Sequence, residues 1–582
     1  MNYSIQKELE HFIKKRRFYL TFVTQNFKLF FKMKRNLLFL LLFIANHSFA
    51  QQTVGVFQND SVSYNGYTLL FPNTSKTTYL IDNCGNVVHQ WESEYNPGLV
   101  AYLLDNGDLL RTGRIGSNFN GGGSGGRIER FNWEGELIWS YNHTSQDFHQ
   151  HHDIEYLPNG NILIIAWERH TVQEALDLGR NPLTLSNDEI WSEQIVEIQP
   201  EGEVGGEIIW EWHLWDHMIQ DFDSLSNNYG DVAQHPELMD INAGNSGVDW
   251  IHLNAVDYNP ELDQIVMSSR HLNEIYIIDH STTTEEAATP EGGNSGKGGN
   301  FLYRWGNPMQ YKRGAIEDRK LFGQHDAQWI EPDRPGAGEL MVFNNGIARP
   351  EGSFSTIDVW SPPLLADGNY LIDSIEAFGP TELSWTFVDD PDNLLFSSNI
   401  SGAQRLPNGN TLICEGRTGD LIEVMLSGLQ VWRYVSPVVG GGIVTQGDNV
   451  SNNNVFRAYR YGVDFPAFAD VALVPSDPIE LEPTNQNCVI YGGPVSTTDN
   501  LLLLDDVNVL NNPIDNQLFI ENRTQEMVFF EMIDVLGRLV LKGQSGQQLI
   551  TQDVGELNAG IYWVQIFNEN RNRRYVEKVV KR

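Results

Sequence analysis

The chain has 582 residues, with 39 Lys and Arg against 76 Asp and Glu, a formal net charge of −37 and 11% aromatic residues. That length holds several domains, or one large repeat architecture with appendages, and the abundance of Asn, Asp and Gly belongs to a turn-rich β protein. So negative a charge excludes nucleic acid and anionic membrane surfaces as partners.

Residues 33–50 combine a basic start (Met33-Lys-Arg), an apolar core from Leu37 to Ile44 and a small-x-small site, Ser48-Phe49-Ala50, before Gln51. This is the plan of a secretory signal, about half as long as a membrane-spanning helix. Met1–Lys32 is basic and unpatterned, so translation is expected to start at Met33, with 1–50 as leader and signal peptide. This leader carries nine of the basic residues and two of the acidic ones, so the chain beyond it is more acidic still. No later apolar run is long enough to form a stable transmembrane segment.

The clearest element is Gln150–Arg169, two short β-runs joined by Asn159-Gly160, a dipeptide that supplies the positive φ of a tight hairpin. His152 opens it and Arg169 closes it, so antiparallel pairing predicts that the two are neighbours. The hairpin recurs at Leu99–Arg111 and Ser401–Arg417, and more loosely at His252–Arg270 and His325–Arg349. A third apolar strand follows (Arg127–Phe131, Gln194–Ile198, Glu274–Asp279, Asp420–Val424), then a strand with a tryptophan: Trp91, Trp139, Trp210, Trp305, Trp385 or Trp432. Six such units predict an all-β fold, a six-bladed β-propeller over residues 51–474, because a sandwich does not repeat a hairpin-plus-Trp pattern. Units one and six look incomplete, and Phe456–Tyr461 is expected to supply a strand that closes the ring. The insertions 170–190, 213–250 and 281–300 fall in loops; one of them, Gly292–Lys297, lacks the spacing of a phosphate-binding loop.

Residues 475–500, rich in Pro, Asn, Gly and Thr, read as a linker, and 501–582 as a small C-terminal β-sandwich module. Cys414 lies in an apolar run and reads as a core residue; three cysteines make no disulfide framework, and a Cys84–Cys488 bridge stays open. In the module, Asn508–Pro513, Phe530–Val540, Leu557–Val564 and Lys578–Arg582 resemble the C-terminal sorting domain of the type IX secretion system. The resemblance implies the type IX machinery as a partner and a secreted or cell-surface location.

The first strand of each propeller blade lines the central channel. Counting back from the Asn-Gly turns places Leu99, His152, His252, His325 and Ser401 at equivalent positions, so three imidazoles meet at one mouth. The ends of the second strands add Arg114, Arg169, Arg270, Arg349 and Arg417. A lone His opening a strand is ordinarily structural, and an Arg at a strand end ordinarily pairs with an acid; the weight lies in the coincidence at matched positions. A ring of cations in an acidic protein suits a small, strongly acidic anion gripped by guanidinium forks. In His152-Asp153 and His325-Asp326 strand alternation turns the two side chains apart, so no His–Asp dyad is read there.

Tyr67–Pro72, Tyr79–Asp82 with Val88–Trp91, Asp249–Asn254, Ser268–His271, Gln324-His325 and Phe343–Gly346 resemble the bacterial arylsulfate sulfotransferases, over about residues 65–470. The resemblance implies a six-bladed propeller that moves a sulfuryl group from a phenolic sulfate ester to a phenol acceptor, without adenosine phosphosulfate (PAPS) or another cofactor. It also implies His252, His325 and Arg349 as active-site residues. His152 is a further catalytic candidate, with Arg270, Arg169, Arg417, Asn254 and Ser401 as substrate-binding residues and no metal. That family passes the sulfuryl group through a later histidine, near Phe396–Gly402, where this chain has Asn399 and Ser401 and no imidazole. Either His152 or His325 then carries the group, or transfer is direct, or the protein is a non-catalytic surface binding propeller. A fourth reading makes the histidines a metal site of a hydrolase or lyase.

Overall fold

The computed structural model describes residues 52–582 except 186–187, 245, 390–394, 485–487, 492–506, 524–526, 535–538 and 569–573, together with 11 and 13–17. The signal-peptide segment 33–50 and the Met33 start lie outside the described residues.

Six antiparallel sheets, five of four strands and one of five, follow one another along the chain. From inside to outside, blade two is Pro97–Leu103, Leu109–Arg114, Gly126–Phe131 and Leu137–Asn142; blade three is Phe148–Tyr156, Ile162–Thr171, Glu189–Pro200 and Gly206–His213. Blade four is Leu253–Asn259, Gln264–Ser269, Glu274–Asp279 and Tyr303–Trp305; blade five is His325–Trp329, Leu340–Asn344, Thr356–Trp360 and Trp385–Phe387. Blade six is Gly402–Arg405, Thr411–Glu415, Asp420–Val424 and Gln430–Val435. In blade one the innermost strand is the late segment Val455–Gly462, paired with Gly66–Pro72, then Thr77–Ile81 and Val87–Glu92. The expected closing strand is therefore present. A second fastening is one the sequence pattern does not reveal: Gly55–Asn59 adds a fifth, outermost strand to blade six.

Burial follows the blade geometry. The second strand of blade three begins Ile162-Leu-Ile-Ile-Ala-Trp167 and is buried at every one of those positions, because each inner strand is covered on both faces by neighbouring blades and reads as a continuous apolar run. Its outermost strand, Gly206–His213, exposes Glu207, Ile208 and Ile209. The three Asn-Gly hairpins turn as expected, with φ of 90°, 89° and 86° at Gly107, Gly160 and Gly409.

All six expected tryptophans lie on the fourth strands of their blades, and each indole N–H donates to the next blade. Trp91 donates to Asn132 O (3.0 Å), Trp139 to Gly205 O (2.8 Å), Trp210 to Thr282 Oγ1 (3.1 Å), Trp305 to Pro380 O (2.9 Å), Trp385 to Leu426 O (2.9 Å) and Trp432 to Asn83 O (2.8 Å). The last bond carries the circle from blade six back to blade one, so the repeated residue is the inter-blade clip.

Blades three and four are also joined by His280, which sits 2.9 Å from Glu197 Oε2 and 2.7 Å from Asp263 Oδ1. Burial alone would lower its pKa, but the two carboxylates overrule it and raise the imidazole to about 9. A raised folded-state pKa contributes stability that is present below about 6.5 and lost as pH rises through about 9. Thermal melts between pH 6 and pH 10 should therefore show a drop that His280→Gln lacks, with a ceiling of about 3 kcal/mol. A variant whose melts fall in parallel with the parent would remove the charge from this strut.

Within the stretch read as a linker, several described residues are fastened to the ring. Ser476 N–H donates to Val87 O (2.8 Å) and Leu481 N–H to Val444 O (3.1 Å), Ile479 enters a buried cluster with Val56 and Tyr434, and Cys488 is bonded to Cys84. Cys414 is buried and free, as its apolar run predicts. The C-terminal module packs a sheet of Val507–Val509, Gln517–Asn522 and Leu549–Asp553 against one of Leu539–Ser545, Val528–Asp534, Gly560–Asn568 and Arg574–Lys581, over a core that includes Leu518, Phe530, Val564 and Val579. Among the described residues no helix is long and apolar enough to cross a membrane.

Candidate active site

The innermost strands share an irregularity where the sequence places its candidate residues. Leu99, His152, His252, Asp326 and Ser401 have φ of 109°, 52°, 55°, 59° and 88°. A residue with positive φ beside a register shift bends its strand and re-aims the side chains there. In blade five the irregular residue is Asp326, so His325 sits one step earlier than its counterparts.

These bulges gather the imidazoles. The rings of His152 and His252 are 4.7 Å apart, edge to face, and His271 stacks on His252 at 4.6 Å. His252 Nδ1–H donates to Asp249 Oδ2 at 2.5 Å, which leaves its Nε2 free; His271 Nδ1–H donates to Asp249 O at 2.7 Å. Behind His152 lies His151, with its Nδ1 2.8 Å from His152 Nδ1 and its Nε2 2.8 Å from Glu193 Oε2. His325 is near but fully engaged: Nδ1–H bonds Asn345 Oδ1 at 2.8 Å, and Nε2 accepts the Ile400 N–H at 3.2 Å. Phe456, from the closing strand of blade one, lies 6.0 Å from the His152 ring and 6.3 Å from His325 and forms the floor.

Beneath Phe456 the axis is plugged by Arg457. Its Nη1 bonds Asp153 at 2.6 Å, its Nη2 bonds Asn254 O at 3.0 Å and its Nε lies 2.9 Å from Asp326. The carboxylates next to His152 and His325 thus turn away from the imidazoles, as alternation predicts, and meet on one guanidinium. Past the plug, further along the same innermost strands, a cavity of about 860 Å³ is lined by Tyr102, Trp329, Glu155, Asp257, Glu331 and Asp333 among others. Acids outnumber the cavity's arginines, Arg334, Arg457 and Arg460, so its lining favours an anion less than the imidazole end does.

Burial sets the charge state of the imidazoles. His151, His152 and His325 are pushed well below the ordinary range, first by burial and then by neighbouring imidazoles and, at His325, by Arg270; His271 falls to about 4. Burial would raise Asp249, but the charge and hydrogen bond of His252 overrule it and its carboxyl is lowered. The site therefore offers neutral, nucleophilic nitrogens beside an Asp249-held imidazole.

The arginines do not form the expected ring. Arg270 is closest: its backbone N–H reaches His252 O at 3.1 Å, and among the described residues its half-buried guanidinium has no hydrogen bond or ion pair. Arg349 stacks on Phe354 (4.6 Å) and Phe322 (5.0 Å) and bonds Thr356 Oγ1 at 3.2 Å, while Arg319 shares Phe322 at 4.3 Å. Arg169 is not a neighbour of His152. The innermost strand of blade three runs on past the bulge until Phe148 opposes Glu168, so Arg169 bonds Asp147 O, lies over Phe119 at 4.8 Å and pairs with Glu189 at 3.3 Å. Arg114 and Arg417 are exposed; Glu415 takes the Arg417 and Thr418 N–H groups and turns the chain outward. The Asn254 amide donates to Gln324 O at 2.7 Å and the Ser401 hydroxyl accepts the Gly416 N–H at 2.9 Å, so both brace the strand entrances.

Sequence reasoning missed Asp249, His271, His151, Glu193, Arg319, Arg457 and a cover. The run Gly121-Gly-Gly-Ser-Gly-Gly126 lies directly over the cluster. Gly123 has φ of +85°, its carbonyl accepts the His152 N–H at 2.8 Å, and a Cβ there would fall within the His152 ring. Gly123→Ala should therefore displace the ring and the loop together, lowering kcat/KM by about tenfold or more through the overlap and the strain; a variant with unchanged kinetics would place the loop elsewhere in solution.

Three of these groups, Asp249, His252 and His271, hold atoms within 4.8 Å of one another, a spacing a metal ion also uses. The donors are spent differently: the Asp249 carboxylate already takes the His252 N–H, and the expected trio of His152, His252 and His325 fails as a ligand set because both nitrogens of His325 are engaged.

Fold and channel mouth together define a β-propeller protein organised around buried imidazoles, with a β-sandwich tail. Residues 32–430 match the model of the arylsulfotransferase (ASST) family, and the chain belongs to that family. Residues 508–582 match the secretion system C-terminal sorting domain, which marks the protein for secretion or surface attachment. Among curated proteins an endo-acting ulvan lyase of Formosa agariphila is 30% identical over 88 residues, 15% of this chain and 17% of the lyase, so the chain spans about a sixth of that relative. Among solved structures, a protein of unknown function from Bacteroides caccae is 10% identical, covering 68% of this chain and 98% of its own, with a TM-score of 0.37. Virginiamycin B lyase from Staphylococcus aureus is 10% identical over 64% and 86% of the two chains, with a TM-score of 0.29.

Proposed function

We propose that the protein transfers a sulfuryl group from a phenolic sulfate ester to a phenol acceptor, without PAPS, at the imidazole end of its channel. The observation that carries the reading is a half-buried guanidinium, Arg270, with no hydrogen bond or ion pair among the described residues and only the more distant charge of Asp249 near it, beside the Asp249-held His252. The oxygens of a transferring sulfuryl group gain charge, which Arg270 and Arg349 stabilise at close range. The departing phenolate takes a proton from His252 Nε2, and the Asp249 carboxylate on Nδ1 supports the imidazolium that supplies it. In the second half His252 takes the proton of the acceptor phenol. The glycine loop excludes water, so the sulfuryl group passes to a phenol rather than to hydroxide.

The test is nitrophenolate release from para-nitrophenyl sulfate, with and without added phenol. Release that depends on phenol is expected. Release to water alone would make the protein a sulfatase, and no release with retained binding would make it a binding propeller. A stoichiometric transition metal in purified active protein would favour a His-metal hydrolase instead.

A further inference from the structure

We propose that His152 Nε2 carries the sulfuryl group between donor and acceptor, with His151 and Glu193 as the positioning residues that keep this nitrogen unprotonated and aimed. The inference rests on the sulfotransferase reading and adds the identity of the carrier.

The assignment follows from which lone pairs remain. Glu193 Oε1 already accepts the Leu253 N–H at 2.8 Å, and Oε2 takes the His151 Nε2–H at 2.8 Å. A carboxylate there fixes the His151 tautomer and leaves the lone pair on His151 Nδ1. The contact of 2.8 Å between the two Nδ1 atoms then requires the proton on His152 Nδ1, so His152 Nε2 keeps its lone pair. Among the described residues this Nε2 has no hydrogen-bond partner, and the ring faces His252 at 4.7 Å. His325 offers no lone pair, since Nε2 accepts the Ile400 N–H and Nδ1 carries its own proton to Asn345. His252 differs from His152 in its partner: its Nδ1–H is held by the Asp249 carboxylate, whereas that of His152 is held by a neutral imidazole.

The step balances within these residues. The His152 Nε2 lone pair attacks sulfur, the N–S bond forms and the bond from sulfur to the aryl oxygen breaks; the phenolate takes its proton from His252. Attack makes the His152 ring cationic, and its Nδ1 proton moves to His151 Nδ1 while the His151 Nε2 proton moves to Glu193. Glu193 Oε2 lies 2.8 Å from His151 Nε2, so the relay runs with this carboxyl ionised at rest; burial and the nearby Asp249 push it well up, which sets the acid limb of the reaction. In the return half the acceptor phenol gives its proton to His252, its oxygen bonds sulfur, the N–S bond breaks and the two relay protons go back.

The experiment mixes the full chain with para-nitrophenyl sulfate and no acceptor, quenches in alkali and locates any SO3 adduct by peptide mass spectrometry. A burst of one nitrophenolate per protein and an adduct on His152 are expected. His152→Asn, a residue that tolerates the local φ of 52°, should lose both. Glu193→Gln should slow the burst about tenfold or more and shift the acid limb of its pH profile, which a packing role would not move. An adduct on His252 or elsewhere overturns the inference, as does phenol-dependent turnover with no burst and no adduct. In either case the sulfotransferase reading survives, whereas no release under any condition would sink that reading itself. If His152→Asn does not fold, the adduct's position in the parent protein decides alone.

Discussion

His252→Asn should lower kcat for phenol-dependent transfer by about two to four orders of magnitude, the range expected for loss of a general acid–base group. The melting temperature should barely move. His252 stands at a φ of 55°, a conformation asparagine tolerates, and its one strong bond, from Nδ1 to Asp249, is one an amide N–H reproduces. What asparagine cannot supply is the free Nε2. The contrasting substitution is His325→Asn, one blade on, where both ring nitrogens hold structure and the side chain is fully buried. Its loss strands the Ile400 N–H and the Asn345 carbonyl oxygen and opens a cavity, so stability should fall by about 2–4 kcal/mol, with activity falling as a consequence. Melts and initial rates measured on both variants separate the roles. A His252 variant at the parental rate would remove that residue from the chemistry, and a His325 variant melting with the parent would deny that its bonds hold the loop.

The part of this molecule that a reader of the sequence can reach is the part that repeats. The Asn-Gly hairpins, the third strands and the six tryptophans each mark a position in a blade, and matching them across units places His152, His252 and His325 near one axis without any coordinates. The reading fails where a blade departs from the average. Arg169 was expected beside His152 on the assumption that the hairpin begins where its pattern begins; in fact the pairing continues to Phe148 and Glu168 and carries the arginine to Glu189. Alternation correctly sends Asp153 and Asp326 away from the imidazoles, yet it conceals the contact between His151 and His152. A strand with positive φ at His152 is no longer a two-residue repeat at that point. Asp249 and His271 lie within residues quoted for the family resemblance, but a carboxylate three positions before a histidine in a loop has no periodicity to give it away. The role of Gly121–Gly126 as a cover depends on the ring it touches, which no periodicity in the chain announces.

Arg457→Met should be among the most destabilising single changes in the propeller, about 3–5 kcal/mol, because it removes one partner from a buried charge network and leaves the others. In the parent, one guanidinium spans Asp153 from blade three, Asp326 from blade five and the Asn254 carbonyl from blade four, all from the strand that closes blade one. Methionine matches the stem and none of the charge, so two buried carboxylates are left on the axis with no cation between them. Their recourse is protonation. Burial already raises Asp326 to about 6 against the pull of Arg457, and without that pull it rises further. A carboxyl whose folded-state pKa is raised stabilises the native state at low pH and loses that contribution as pH climbs from the unfolded value, near 4, through the folded one. The destabilisation in Arg457→Met should therefore be smaller at pH 5 than at pH 8, the opposite of the response expected if the arginine were a packing element. Denaturant melts of parent and variant at both pH values decide between the two. A penalty independent of pH would mean that the axis is held by the side chain's volume, and the closing strand would then owe its grip to Phe456 and the backbone ladder alone.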